Sequence, residues 1–100
     1  EQALARMRPT AVLVNTARGA LVDEAALVRV LREGGIAGAA LDVFETEPDV
    51  REELLVLENV VLTPHLGSAT REAREAMGML CLDALRAVLL ECRRPPNAVV

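Results

Sequence analysis

Three stretches of the sequence contain residue types that could bind a carboxylate and move a proton. Arg18 follows the branched apolar run TAVLVN, Glu47 lies beyond the run IAGAALDVF, and the single histidine, His65, follows VVLTP. A guanidinium is a planar, permanently charged fork that suits a carboxylate. An imidazole titrates near neutrality and can give or take one proton. A carboxylate beside the imidazole favours its charged form and fixes the ring.

Each of these residues also has an ordinary structural explanation. Arg18 could be a solvated loop arginine, Glu47 a solvated loop acid, and His65 a structural histidine. Asp42 is harder to explain in this way, because a carboxylate that follows an apolar strand must find hydrogen-bond donors or face a cleft. Taken together, these ordinary explanations become less convincing. Three predicted strands would each have to be followed by a reactive residue type by chance.

The predicted elements show how such distant residues could meet. Residues 1–7 are typical of the last turns of a helix, which Pro9 ends. Strands are predicted over residues 10–15 and 36–44 and from Val60, with helices over residues 23–33 and from Ser68 or Thr70 to about Glu91, and a helical turn near residues 52–55. A strand–helix–strand unit with short connections implies parallel pairing through a right-handed crossover. Ligands of open α/β sheets bind beyond the carboxyl ends of the strands, so the arginine, the carboxylates and the histidine should gather there.

Such a set of groups suits a particular kind of substrate. An arginine for the carboxylate, a histidine for the carbonyl or hydroxyl proton and a glutamate to tune the histidine would handle a 2-oxo acid. The same groups would handle a 2-hydroxy acid in the reverse direction. None of them can donate a hydride, so a nicotinamide would have to supply it.

Composition excludes several other functions. The chain of 100 residues is 52% hydrophobic with one aromatic residue, which requires an aliphatic core, and its net charge of −4 argues against nucleic-acid binding. No apolar run approaches the ~18 residues of a membrane span. On one helix, Cys81 and Cys92 would be ~16 Å apart, too far for a disulfide, and one histidine with two distant cysteines does not make a metal site. We therefore expect reduced thiols, a cytoplasmic location and no metal.

Three motifs closely resemble the NAD(P)-dependent D-isomer-specific 2-hydroxyacid dehydrogenases. They are LVNTARGALVDEAALVRVL, GAALDVFETEP and NVVLTPHLGSAT, in the family's order and spacing. HLGSAT and the closing RRPPNAVV look most like the glyoxylate/hydroxypyruvate reductase (glycerate dehydrogenase) branch, although phosphoglycerate dehydrogenases share much of the pattern. The resemblance implies an α/β fold: the C-terminal half of a Rossmann-like doubly wound parallel sheet, followed by a long C-terminal helix. Residues 1–100 would be a partial NAD(P)-binding domain, with a crossover helix at about 70–91 and a tail at 93–100.

The resemblance also implies a role for each matching residue, with NAD or NADP as cofactor. Arg18 would bind the substrate carboxylate and carbonyl, His65 would protonate the carbonyl oxygen as general acid, and Glu47 would pair with the histidine. Asp42 would hold the carboxamide of the nicotinamide. Further cofactor contacts are expected from Thr16, Ala17, Arg18, His65 and Gly67. Glu45 has no role in the pattern and should be solvated.

The sequence departs from the family pattern at two points. The chain has no G-x-G-x-x-G element, so it looks like the C-terminal third of a longer enzyme, inactive by itself, whose parent is expected to be a homodimer. Cys92 stands where a helix-ending glycine is expected. The alternative to an enzyme is a non-catalytic relative, a nucleotide-sensing or protein-binding module of the corepressor kind. That module would have no need of Arg18, Glu47 and His65 together.

Overall fold

The computed structural model describes residues 2–99, which fall into two compact units, one that ends at Gly67 and one that begins at Ser68. The first unit contains the strands β1 (Val12–Asn15), β2 (Gly38–Leu41) and β3 (Val60–Leu62), the helices α1 (Glu24–Arg32) and α2 (Glu52–Leu55), and short 3-10 helices at Leu4–Arg6 and Gly19–Leu21. The second unit contains the helix α3 (Arg71–Leu89). The predicted order of the three strands and of the helices α1, α2 and α3 is thereby confirmed, and the fold is of the α/β class.

The three strands form one parallel sheet in the order β1-β2-β3. Because paired residues share a face, the register places Val14, Ala40 and Val61 on one side and Leu13, Ala39 and Val60 on the other. The second side belongs to the hydrophobic core, with α1 as the crossover between β1 and β2. On the first side Val14 and Val61 are exposed.

Helix α1 begins where the sequence predicts. The carboxylate of Asp23 accepts a hydrogen bond from the amide of Ala26 at 2.8 Å, which satisfies one of the unpaired donors of the first turn. Ala26, Leu27 and Leu31 are buried against the sheet side of the core. The helix ends before Gly34, whose φ of 70° is a conformation that glycine adopts without strain.

Two predicted boundaries are wrong. The N-terminal segment forms only the 3-10 turn Leu4–Arg6 instead of an α-helix over residues 1–7, and Glu1 lies outside the described residues. The second strand stops at Leu41 instead of Phe44. Beyond Leu41 the chain leaves the ladder, because the amide of Phe44 donates to the side chain of Glu47 rather than to a neighbouring strand.

The second unit is built on one long helix. Of the two predicted caps, Thr70 is the one observed: its hydroxyl accepts a hydrogen bond from the amide of Ala73 at 3.1 Å. The helix ends at Leu89, slightly before the predicted end near Glu91. Both cysteines are free and exposed. In the part of the chain that the structure describes, no helix has the length and apolar character needed to cross a bilayer.

Candidate active site

The parallel sheet gathers the residues predicted to carry chemistry at one edge. Arg18 lies three residues beyond the end of β1, Asp42 directly follows β2, and His65 lies in the loop after β3. Glu47 reaches the same place from the loop between β2 and α2. Within this edge Nδ1 of His65 lies 2.8 Å from Oε2 of Glu47, although the two residues are 18 positions apart. The predicted histidine–carboxylate pair is therefore present.

The imidazole of His65 is held in a defined orientation on a strained loop. Its backbone has φ of 54°, a left-handed conformation that is uncommon for residues with a Cβ and often marks functional sites. Its amide donates to the carbonyl of Thr63 at 3.0 Å. Since Nδ1 is engaged by Glu47, Nε2 is the ring nitrogen that faces away from the carboxylate. The side chain is half exposed, so a small molecule can reach it.

The carboxylate of Glu47 has a second partner besides the histidine. Its Oε1 accepts a hydrogen bond from the amide of Phe44 at 3.0 Å. The hydrogen bond with His65, then that of the Phe44 amide, and more weakly the charge of Arg18, hold the pKa of Glu47 below its ordinary value. Glu47 is therefore ionised at neutral pH and can keep its partner imidazole oriented.

Arg18 faces the same pocket without bonding to the pair. A pocket of about 530 Å³ is lined by Arg18, Gly19, Ala20, Phe44, Glu45, Glu47 and His65. The only hydrogen bond recorded for the guanidinium among the described residues is one from Nη1 to the carbonyl of Ala17, at 2.6 Å. Its side chain is exposed, which leaves most of its donors available to an anion entering the pocket.

Gly19 explains how the arginine loop comes so close to the glutamate loop. A Cβ added to Gly19 would lie 1.9 Å from the carbonyl oxygen of Phe44, far inside van der Waals contact. Only glycine allows this approach of two backbones. The glycine beside Arg18 indicates a tight turn from sequence alone, whereas the segment that it contacts is 25 positions later in the chain.

Asp42 holds the loop that carries the histidine. Its Oδ1 accepts from the hydroxyl of Thr63 at 2.5 Å and from the amide of Leu66 at 2.7 Å, and its Oδ2 accepts from the amide of Gly67 at 2.8 Å. These hydrogen bonds, the Thr63 hydroxyl first, lower the pKa of Asp42. The carboxylate is buried and satisfied, which answers the question that its position after an apolar strand raised.

The remaining residues predicted to contact the cofactor also lie at this edge, and they differ in exposure and in hydrogen bonding. Thr16 and Ala17 are exposed just beyond β1. Both backbone groups of Ala17 are engaged, because its amide donates to Oδ1 of Asn15 at 3.1 Å and its carbonyl accepts from Arg18. Gly67 lies against Asp42, where an added Cβ would be 3.2 Å from Oδ2.

Three further residues, none of which was predicted to belong to the site, hold it together. Asn15 is buried at the end of β1 and also donates from Nδ2 to the carbonyl of Arg18 at 2.9 Å, which fixes the arginine loop. Thr63 bonds Asp42, as described above. Glu24 is buried and accepts a hydrogen bond from the amide of Glu45 at 2.8 Å. A polar residue at the end of an apolar strand was the available signal for Asn15. The side chain of Glu45 is only partly solvated, contrary to expectation, because it is 35% accessible and lies 3.8 Å from Nη2 of Arg51.

Comparison with known proteins places this geometry in a family. The family model described as D-isomer specific 2-hydroxyacid dehydrogenase, NAD binding domain, matches residues 1–67. A glyoxylate reductase of Pyrococcus furiosus is 65% identical over 80 residues, which are 80% of this chain and 24% of that protein. A glyoxylate reductase of Thermococcus litoralis is 56% identical over 99 residues, which are 99% of this chain and 30% of that protein.

Solved structures agree with the sequence comparison. The NADPH-dependent glyoxylate/hydroxypyruvate reductase of Sinorhizobium meliloti, in complex with citrate, superposes with a TM-score of 0.87 at 49% identity, covering 91% of this chain and 29% of that chain. The TT0316 protein of Thermus thermophilus superposes with a TM-score of 0.90 at 51% identity, covering 99% and 32%. This chain thus spans a quarter to a third of the length of the relatives that it matches.

Proposed function

We propose that the parent protein is a glyoxylate reductase. This chain belongs to the D-isomer specific 2-hydroxyacid dehydrogenase family, whose NAD binding domain it matches. The parent would reduce glyoxylate or hydroxypyruvate to the 2-hydroxy acid with NADH or NADPH. Residues 1–100 would supply the catalytic half of the nucleotide-binding domain, with α3 as the crossover helix. The observation that carries the proposal is the 2.8 Å contact between His65 and Glu47 in a pocket shared with Arg18.

His65 acts as the general acid. The ionised carboxylate of Glu47 holds Nδ1 at 2.8 Å, so Nε2 is the nitrogen that delivers a proton to the carbonyl oxygen of the substrate. When the 2-hydroxy acid forms, the histidine is left neutral and takes its next proton from solvent, to which it is exposed. A nicotinamide held at this edge would supply the hydride, a chemistry that no side chain provides.

Arg18 binds the substrate carboxylate. Its guanidinium faces the pocket with most of its donors free, and a planar fork can hold a carboxylate by two parallel hydrogen bonds. This places the negative end of the substrate beside the arginine and its carbonyl toward the histidine. The same charge also favours the ionised form of Glu47.

The residues at this edge fit the nicotinamide end of the cofactor. A carboxylate offers about four acceptor sites, and among the described residues Oδ2 of Asp42 accepts only one hydrogen bond, from Gly67. Its lowered pKa keeps it ionised and therefore able to accept from a carboxamide NH₂. We assign Asp42 this contact, with Thr16, Ala17 and Gly67 lining the ring. The pyrophosphate would be held by residues outside this chain, which contains no G-x-G-x-x-G turn.

The parent enzyme provides the test. Oxidation of NADH and NADPH is followed at the nicotinamide absorbance with glyoxylate, hydroxypyruvate and phosphohydroxypyruvate. We expect turnover with the first two substrates, and a loss of roughly 10²-fold or more in kcat for His65→Gln. Glu47→Gln should also lower kcat, because it removes the charged partner of His65. Glu58→Gln makes the same change at an exposed glutamate outside the pocket and should leave kcat unchanged. Preference for the phosphorylated substrate would identify a phosphoglycerate dehydrogenase, and nucleotide binding without turnover would identify a non-catalytic relative.

Two further proposals concern the parent as a whole. We infer a cytoplasmic enzyme, supported by the two free, exposed thiols, which suit a reducing compartment. We also infer a homodimer, as the family resemblance implies. Light scattering of the purified parent tests the second proposal, and a monomer at micromolar concentration would refute it.

A further inference from the structure

Glu24 is a buried carboxylate that the proposed mechanism does not use. It is the first residue of α1 and only 3% exposed. Its Oε1 accepts a hydrogen bond at 2.8 Å from the amide of Glu45, which lies 21 positions later in the sequence. A buried charge is retained only where it has partners. The partner here belongs to the loop that carries Glu47.

The guanidinium of Arg51, at the other end of the same loop, also approaches the carboxylate of Glu24. Nε of Arg51 lies 3.9 Å from Oε2 of Glu24, and Nη2 of Arg51 lies 3.8 Å from a carboxylate oxygen of Glu45. Within residues 2–99, the buried Nε has no hydrogen-bond acceptor, so the attraction to Glu24 is one of charge. Glu24 therefore contacts both ends of the segment that runs from residue 45 to residue 51.

Glu47 lies within this segment and depends on its conformation. The amide of Asp49 donates to the carbonyl of Thr46 at 2.9 Å, which closes a tight turn around Glu47. Oε1 of Glu47 is bonded to the amide of Phe44, the residue directly before the one that Glu24 holds. A shift of Glu45 would therefore move both the backbone of Glu47 and the donor that orients its carboxylate.

We propose that Glu24 is a positioning residue that holds the segment 45–51 so that Glu47 meets His65. This role rests on the proposed reductase function. Glu24 touches neither the substrate pocket nor the histidine, and acts only through the backbone of Glu45 and the charge of Arg51. The competing explanation is that Glu24 serves only the N-terminus of α1, where a carboxylate is favourable in any protein.

A double-mutant cycle in the full-length parent separates these explanations. Glu24→Ala should lower kcat/KM for glyoxylate by roughly 10- to 100-fold, because small misplacements of catalytic groups have effects of this size. In a Glu47→Gln background the same change should cost less than about 2-fold, since the group that it positions has already been altered. An equal loss in both backgrounds would overturn the proposal.

Two other variants separate the positioning role of Glu24 from its effect on helix α1. Glu24→Gln keeps an acceptor for the Glu45 amide but loses the charge facing Arg51, so its kcat/KM should lie between those of wild type and Glu24→Ala. It also preserves the test if the alanine variant fails to fold. Asp23→Ala weakens the same end of α1 by removing the bond to Ala26, without touching the segment 45–51. A loss of kcat/KM in Asp23→Ala equal to that of Glu24→Ala would assign the effect to the helix and overturn the proposal.

An activity-independent measurement decides the structural half of the proposal. Hydrogen–deuterium exchange on peptides covering residues 44–51 should be roughly 10-fold faster in Glu24→Ala than in wild type, because the amide of Glu45 loses its charged acceptor and the segment loses the group that holds it. Exchange there should be unchanged in Asp23→Ala. If the wild-type parent reduces no 2-oxo acid, the proposed function fails, and the exchange still shows whether Glu24 holds the segment. Unchanged exchange in Glu24→Ala would overturn the positioning role even in an active enzyme.

Discussion

Gly19→Ala provides the most direct test of how the arginine loop meets the glutamate loop. The added Cβ would lie 1.9 Å from the carbonyl oxygen of Phe44 and 2.0 Å from its carbonyl carbon. Real Cβ atoms do not approach closer than 3.0 Å, so the two backbones must move apart from 1.9 Å to at least that distance, by about 1.1 Å. Arg18 is attached to one of these backbones, and Glu47 is hydrogen-bonded to the other.

The expected consequence is kinetic as well as structural. A misplacement of about 1 Å between catalytic groups lowers the rate by roughly 10²-fold, so kcat/KM for glyoxylate should fall by that factor in the parent enzyme. The melting temperature should also fall, because the added Cβ clashes with the backbone carbonyl of Phe44, which cannot rotate away. Steady-state kinetics and calorimetry of the parent measure the two effects.

Gly78→Ala is the matched control, since an added Cβ in the middle of α3 meets nothing within 4 Å. It should leave the kinetics unchanged and stabilise the helix by about 1 kcal/mol, the usual advantage of alanine over glycine. A Gly19→Ala enzyme with kcat/KM within about 2-fold of wild type and the same melting temperature would refute the close approach. The shared pocket of Arg18 and Glu47 would then lose its structural basis.

Three further predictions concern the pH dependence, a strained helix end and the histidine loop. Because the native pKa of Glu47 is lowered, its contribution to stability is present above its ordinary pKa of 4.5 and is lost as pH falls through the lowered value. Urea unfolding should therefore show a difference between wild type and Glu47→Gln that shrinks below that pH, and a difference that grows would contradict the assigned direction. Cys92 has φ of 49°, so Cys92→Gly should stabilise the parent by about 1 kcal/mol and raise its melting temperature by about 2 °C. A lower melting temperature would count against strain there. Asp42→Asn replaces one acceptor of the three hydrogen bonds with a donor, so kcat/KM should fall by roughly 10-fold, and unchanged kinetics would remove Asp42 from the support of His65.

Local signals in the sequence determined the elements and their order. The capping position of Asp23, the apolar runs that became β1 and β3, and the helix-ending role expected at Cys92 all depend on a few neighbouring residues. The left-handed backbone of Cys92 confirms that a glycine is the residue which this position would favour. The parallel order also followed from the sequence, because a strand–helix–strand unit with short connections has one common arrangement.

Only the tertiary structure decided how distant residues support one another. Glu24 lies at a helix start, where any carboxylate is favourable, and nothing local in the sequence indicates that it is buried against the amide of Glu45. Likewise, the second strand ends at Leu41 because the amide of Phe44 donates to the side chain of Glu47. The run of small apolar residues that forms the strand does not indicate this end. The residue types near His65 suggested its chemistry. Its contact with Glu47 depends on register and loop packing, which join residues that are far apart along the chain.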